Sequence, residues 1–281
     1  MQIRRIGDVP VGAIGLGGMP MSIEGRPDEG RSVRAVHAAL DAGITLIDTA
    51  DAYHVGAAEV GHNETLIAHA LATYGGDTSR VLVATKGGHL RPGDGSWYVD
   101  GHPDYLKRAC ESSLKRLGVD AIGLYQHHRP DPAVPYADSI GAIRDLLDAG
   151  KIRMAGISNA NPEQIRQARE ILGGRLVSVQ NQFSPAFRSS EVELKLCTEL
   201  GIAFLPWSPL GGIKSAGSLG GAFAEVGARH GVSPQRVALA WHLAKSPVSI
   251  PIPGASRPET ITDSAAATEL QLTAEDLAVL P

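Results

Sequence analysis

The stretch GITLIDTADAYHVGAAEVGHNE, residues 43–64, begins as a buried strand and then changes character. Gly43 is followed by Ile44, Thr45, Leu46 and Ile47, apolar and largely β-branched, and then at once by Asp48. Five residues further on, Tyr53 stands in a polar, Gly-rich loop. A short, near-continuous apolar run suits a strand covered on both faces, as in a parallel sheet. A surface turn accounts for each polar residue taken alone. A carboxylate closing a core strand with a phenol close behind also suits proton transfer.

The same unit repeats along the chain. Strands are expected at 12–17, 44–49, 81–86, 122–128, 154–158, 176–183, 202–207 and 248–252. Amphipathic helices fill most gaps, over 31–42, 63–73, 103–117, 137–149, 162–172, 190–200 and 234–245. Asn161-Pro162 and Ser233-Pro234 place proline at a first helical position, where its missing N–H costs nothing. Gly43, Gly118, Gly150 and Gly201 stand where helices stop. Eight strand-then-helix units favour a closed (β/α)8 TIM barrel over an open doubly wound sheet. Residues 2–11 read as a short hairpin before the first barrel strand, and the tail after 254 as closing helices. With no linker or low-complexity tract, residues 1–281 are expected to form a single domain.

Composition narrows the function. The chain has 281 residues, 43% of them hydrophobic, and a formal net charge of −4, with no basic stripe of the kind that binds nucleic acid. Cys110 and Cys197 lie in helix-like segments without metal spacing, so neither a disulfide framework nor a metal site is expected, and a cytoplasmic setting is. The apolar stretch near the N-terminus is broken by Asp8 and Pro10 and is not read as a signal peptide. No apolar run approaches the roughly 18 residues of a membrane helix, and no membrane partner is expected. Oligomeric state is left open.

In such a barrel the functional groups come from the C-terminal ends of the strands. Those ends carry Asp48 with Tyr53 beyond it, Lys86 in ATKGG, His127-His128 in LYQHHRPDP, Ser158-Asn159, Gln180, Trp207-Ser208 and, after the last strand, Pro253-Gly254-Ala255-Ser256-Arg257. Each has an ordinary structural explanation: a turn cap, a solvated lysine, a core histidine, a loop aromatic. Their convergence on one rim does not. An ammonium near Tyr53 favours the phenolate and is expected to lower the tyrosine's pKa from its ordinary value near 10. Asp48 would keep Lys86 charged and oriented, and a histidine facing the same point can hydrogen-bond a carbonyl oxygen. The set describes a general acid aimed at an oxygen that gains negative charge. No obvious protein nucleophile accompanies it, and hydride from a bound cofactor is one way to supply the attack.

The remaining rim suits such a cofactor. Ser158, Asn159 and Gln180 match the donors and acceptors of a carboxamide, and Trp207 offers a flat face. Ser208, Gly211-Gly212, Lys214 and Ser256-Arg257 offer hydrogen bonds and positive charge to phosphates. Gly15-Leu16-Gly17-Gly18-Met19-Pro20 has proline where the third glycine of a Rossmann fingerprint belongs, so the mode of binding is of another type.

These segments, IDTADAY, ATKGG, LYQHHRPDP, KIRMAGISN, VQNQFSP, LPWSPLGG and IPGASRPE, resemble in order those of the aldo-keto reductase family, over nearly the whole chain. The resemblance implies a catalytic tetrad of Asp48, Tyr53, Lys86 and His128, the last being the histidine directly before Arg-Pro-Asp. It implies an extended NADPH, with NADH second, held by Gly18, Met19, Asp48, Ser158, Asn159, Gln180, Trp207, Ser208, Leu210, Gly211, Lys214, Gly254, Ser256, Arg257 and Asp263. Reversible reduction of a small-molecule aldehyde or ketone is the implied reaction. The alternative is a cofactor-sensing regulatory subunit with slow turnover, and a third reading uses Lys86 as a Schiff-base amine. Two departures stand out. After IPGA the chain reads Ser256, Arg257, Thr260, Asp263 and Ser264, a thinner adenine site than in many relatives. The tail is short, so loop 87–103, with Trp97 and Tyr98, is expected to wall the substrate pocket in its place.

Overall fold

The computed structural model describes residues 1–212 and 219–281. The chain opens with the expected hairpin, β1 (Ile3–Ile6) and β2 (Val9–Gly12), paired antiparallel about a turn in which Gly7 takes φ +55°. The barrel follows as β3 (Leu16–Gly17), β4 (Leu46–Asp48) and β5 (Leu82–Gly87). A two-stranded excursion, β6 (His89–Leu90) with β7 (Tyr98–Val99), rises from the rim after β5. The barrel resumes with β8 (Ile122–His127), β9 (Ile152–Ser158), β10 (Leu176–Gln180) and β11 (Ala203–Phe204). These seven strands are parallel and run in the order β11-β10-β9-β8-β5-β4-β3.

The eighth stave closes the ring without forming a full ladder. Residues 248–254 give Ile250 N–H to Phe204 O (2.8 Å) and Ile252 N–H to Pro206 O (3.1 Å) on one side, and accept Gly15 N–H at Pro251 O (3.0 Å) and Gly17 N–H at Pro253 O (2.9 Å) on the other. Pro251 and Pro253 have no N–H to return, so half of the seam with β3 is missing. The strand expected at 248–252 is thus corrected to a stave held by bridges, Phe204 with Ser249 and Gly17 with Gly254. The run expected at 12–17 divides between β2 and β3, and the run at 202–207 shrinks to two residues before Pro206.

The helices α1 (Glu29–Asp41), α2 (His62–Thr73), α3 (Pro103–Leu117), α4 (Tyr136–Asp148), α5 (Pro162–Ile171) and α6 (Glu191–Leu200) fill the gaps where expected. An additional α7 (Ala222–His230) precedes α8 (Pro234–Lys245), and α9 (Pro258–Ala265) and α10 (Ala274–Val279) form the tail. Helix starts use the expected chemistry: Asn161 and Ser233 accept the N–H of Gln164 and Arg236, each with proline at the first turn. Gly118 and Gly201 end α3 and α6 in the left-handed region.

Alternation along the strands joins fold to site. Leu46, Leu82 and Leu124 point into the barrel, where they pack with Ile6 and Val11 of the hairpin and with Leu205, Ile250 and Ile252. Ile47, Tyr125, Ala155, Ile157 and Val179 point outward into the layer against the helices. Each inward leucine contributes about 1.5–3 kcal/mol by leaving water. Two or four residues further up the same strands, the inward positions become polar: Asp48, Lys86, Gln126, Ser158 and Gln180, all buried. A period of two makes one set of strands apolar at the bottom and reactive at the top.

Candidate active site

Lys86 is the hub. It is fully buried, and its Nζ donates to Asp48 Oδ1 (2.6 Å), Thr49 O (2.8 Å) and Tyr53 Oη (3.1 Å). Three N–H groups meet three acceptors, which uses an ammonium completely. Asp48 turns its other oxygen to Gln180 Nε2 (2.7 Å) and Gln126 Nε2 (3.4 Å). Burial works against the lysine's charge, but Asp48 and Tyr53 outweigh it and hold its pKa above the ordinary value.

Tyr53 differs from the sequence expectation in one respect. Burial pushes its pKa up, Lys86 opposes this, Asp48 adds to it, and the outcome is a phenol above its ordinary range. The expected lowering by Lys86 is present and is overruled by desolvation. Because Oη accepts from Lys86, the phenolic O–H remains to be given elsewhere, and Tyr53 lines the cavity. The ring of His128 meets that of Tyr53 edge-on, centroids 5.9 Å apart. Burial, helped by Lys86, His89, Arg129 and His127, holds its imidazole well below the ordinary range and therefore neutral. Its Nδ1 is buried with no partner among the described residues, and the residue lines the cavity, so Nε2 is the nitrogen free to meet a ligand. His128 is fixed through its backbone: its N–H donates to Gly87 O (2.9 Å) and its carbonyl accepts Asn159 Nδ2 (3.0 Å).

These groups open onto a cavity of about 590 Å³. Of the residues expected to hold a cofactor, Met19, Asp48, Ser158, Asn159, Gln180, Trp207, Ser208, Leu210 and Gly254 line it. Five do not. Gly18 packs instead against Asn63, whose Oδ1 a Cβ would approach to 2.3 Å, and it is Gly17 that faces the cavity. Gly211 yields its place to Gly212. Ser256 and Arg257 lie beyond the cavity at the start of α9, Arg257 exposed as its N-cap residue. Asp263 is committed to helix packing, accepting from Arg236 Nε and Nη2 (3.0 and 2.6 Å) and from Ser233 Oγ (2.5 Å). Lys214 falls outside the described residues.

The lining fits a flat heteroaromatic carboxamide. Asn159 spends its two amide N–H groups on His128 O and Ser158 Oγ, and Gln180 gives one of its two to Asp48, so the carbonyl ends of both remain as acceptors. Ser158 already donates its hydroxyl proton to Gln180 O (2.7 Å). Trp207 supplies a ring face, with an indole N–H that is buried and has no partner among the described residues. Asn159 and Ser208 hold φ at +57° and +49°, strained values for residues with a Cβ and common at binding sites.

Several contributors are not evident from motif spacing. Gln126 braces Asp48 and accepts Ser178 Oγ (3.3 Å). Asn63, at the start of α2, accepts Thr49 Oγ1 (2.6 Å) and donates to Gly18 O (2.9 Å), tying two strand ends together. Glu64 is buried between Thr85 Oγ1 and Arg116 Nε, both at 2.5 Å. On the far wall Trp97 stacks on His89 (centroids 4.6 Å) under the guanidinium of Arg91, which pairs with Glu24 and donates to His54 O. Trp97 lines the cavity as expected; Tyr98 is exposed and does not.

No helix among the described residues is long and apolar enough to cross a membrane, and no cluster of three metal-ligating side chains occurs among them. The model of the Aldo/keto reductase family matches residues 13–280. An uncharacterized oxidoreductase of Schizosaccharomyces pombe is 36% identical, covering 98% of this chain and 88% of its own. The 6-dehydroglucose reductase of Novosphingobium aromaticivorans is 34% identical over 87% of this chain and 83% of its own. Among solved structures, a glycerol dehydrogenase from Gluconobacter oxydans superposes with a TM-score of 0.82 at 28% identity, covering 98% of this chain and 92% of that one. An aldo-keto reductase from Klebsiella pneumoniae in complex with NADPH gives 0.81 at 27%, covering 99% and 94%.

Proposed function

Since the chain belongs to the aldo/keto reductase family and is an NAD(P)H-dependent oxidoreductase, we propose that it reduces an aldehyde or ketone to an alcohol with NADPH, using Tyr53 as the acid. One observation carries this reading: Lys86 gives its third N–H to Tyr53 Oη, which leaves the phenolic proton for the cavity. Asn159, Gln180 and Trp207 would hold the nicotinamide, and Ser208 with the turn at Ser256-Arg257 would take phosphates. The NADPH complex of the Klebsiella relative supports the choice of cofactor. When bound, the dihydronicotinamide supplies hydride to the carbonyl carbon.

The residues do the rest. Tyr53 passes its proton to the carbonyl oxygen as negative charge develops there, and Lys86 stabilises the phenolate left behind. Asp48 keeps Lys86 charged, so the stabilising cation is in place beforehand and needs no reorganisation. Neutral His128 offers Nε2–H to the same oxygen and sets its position. A phenol above its ordinary pKa is protonated at neutral pH, which is the state an acid requires. The same geometry weighs against the Schiff-base reading, because an ammonium bonded three times and held charged has no lone pair to attack with.

The test is loss of NADPH absorbance, and separately of NADH, across aldehydes, ketones and sugars. Oxidation of NADPH that requires a carbonyl compound is the expected result. A protein that consumes neither cofactor with any carbonyl compound would overturn the reading.

A further inference from the structure

Arg129 follows His128 directly, lines the cavity, and has no hydrogen bond or ion pair among the described residues; its Nε is buried and unpaired. Among the described residues, the other ionised side chains near this wall have partners of their own. Lys86 is paired with Asp48, and Arg91 with Glu24. Asp131, two residues on, turns its oxygens to the N–H groups of Gly101 and Ala133. His89 and His128 add no positive charge, since burial and Arg129 itself keep both neutral, His89 pushed down to about 4. Among the described residues, the substrate side of the cavity therefore holds one uncompensated cation near Tyr53, half-buried and without a counter-ion. A desolvated guanidinium left unpaired is costly, and it is the group whose planar fork matches a carboxylate.

Resting on the reductase reading above, we infer that Arg129 selects the substrate: it is a carbonyl compound bearing a carboxylate, which pairs with the guanidinium while the carbonyl oxygen lies between Tyr53 and His128. The charge balance favours a group of charge −1. His89 and Trp97 flank the site and give the carbon chain between the two ends an aromatic wall.

The experiment compares kcat/KM for 4-carboxybenzaldehyde with that for 4-formylbenzamide, of nearly the same shape and no charge, in the full-length protein with NADPH. The wild type is expected to prefer the carboxylate by about tenfold or more. Arg129→Met is expected to lower this ratio by roughly 10- to 100-fold, chiefly through KM, as loss of a charge-assisted bidentate pair implies. Arg129→Lys, which keeps the charge and loses the fork, is expected to fall between the two. A ratio is read within each protein, so differences in yield or folding cancel. A wild type that reduces both compounds equally well, or a ratio that Arg129→Met leaves within about threefold, overturns the inference. A wild type that reduces neither compound, nor any other carbonyl, overturns the reductase reading instead.

Discussion

On the proposed mechanism, removing the hydroxyl of Tyr53 removes the acid and little else. Tyr53→Phe is expected to lower kcat for a good aldehyde by about 10²–10⁴-fold with NADPH affinity retained, read by steady-state kinetics beside a fluorescence binding titration. Lys86→Met asks a different question, because it strands Asp48 as an unpaired buried carboxylate facing only amides. Destabilisation of about 3–5 kcal/mol is expected in denaturant unfolding, and pairing it with Asp48→Asn is expected to recover part of that loss. The convergence of Asp48, Lys86 and His128 was legible because each stands at or just past a strand end, where period two points it inward, while Tyr53, five residues into the loop after β4, was picked out by its motif. Gln126, Asn63 and Arg129 were not. Gln126 was hidden inside its own motif, since no spacing says that an inward glutamine on one strand will touch a carboxylate two strands away. Asp263 shows the converse: Arg236, distant in sequence, engages its carboxylate in a contact that no motif announces.

Among elements, the β6–β7 hairpin is the part whose position depends most on single contacts. Arg91 ties it to Glu24 on the loop after β3 and to the carbonyl of His54, and stacks on Trp97. Arg91→Leu releases all three, and KM for the carbonyl compound is expected to rise several-fold while KM for NADPH stays within about twofold, as product-formation assays varying each in turn would show. Sequence located this loop as a pocket wall through Trp97 but could not orient Tyr98, because a two-residue strand has too little pattern to fix its faces. Helix α7 escaped notice for a physical reason as well. Gly227 lowers helix propensity at its centre, and a Cβ there would stand 2.7 Å from Val232 O, so close packing demands the residue that weakens the signal. Most other helices announced themselves through apolar spacing, proline starts and glycine stops.

For the molecule as a whole, buried titratable groups set the dependence of stability on pH, and they pull in opposite directions. His127 and His242 are buried and neutral, each pushed down to about 4 chiefly by burial. Between about 4 and the ordinary 6.5 the unfolded chain binds more protons than the fold, so stability is lost as pH falls through that window. Asp51 is pushed up to about 8 by burial and by Glu64. Its fold-bound proton stabilises fully below the ordinary 3.8, and the contribution is lost as pH rises through 8. Melting temperature is expected to drop on both sides. Asp51→Asn is expected to raise it at pH 8.5 by at least about 2 °C, the yield of roughly 1 kcal/mol in a chain of this size, and by less near pH 5, where most of the loss has yet to accumulate. The barrel itself could be read from eight repeated units, but not how its last seam is sewn. With Pro251 and Pro253 giving nothing back to β3, the ring has a built-in hatch, and Ile252, Pro253 and Gly254 on its edge also face the cavity. The amides of Gly15 and Gly17 are therefore expected to exchange with deuterium before those joining β8 to β9, and to slow when a dinucleotide leans on that edge and latches it.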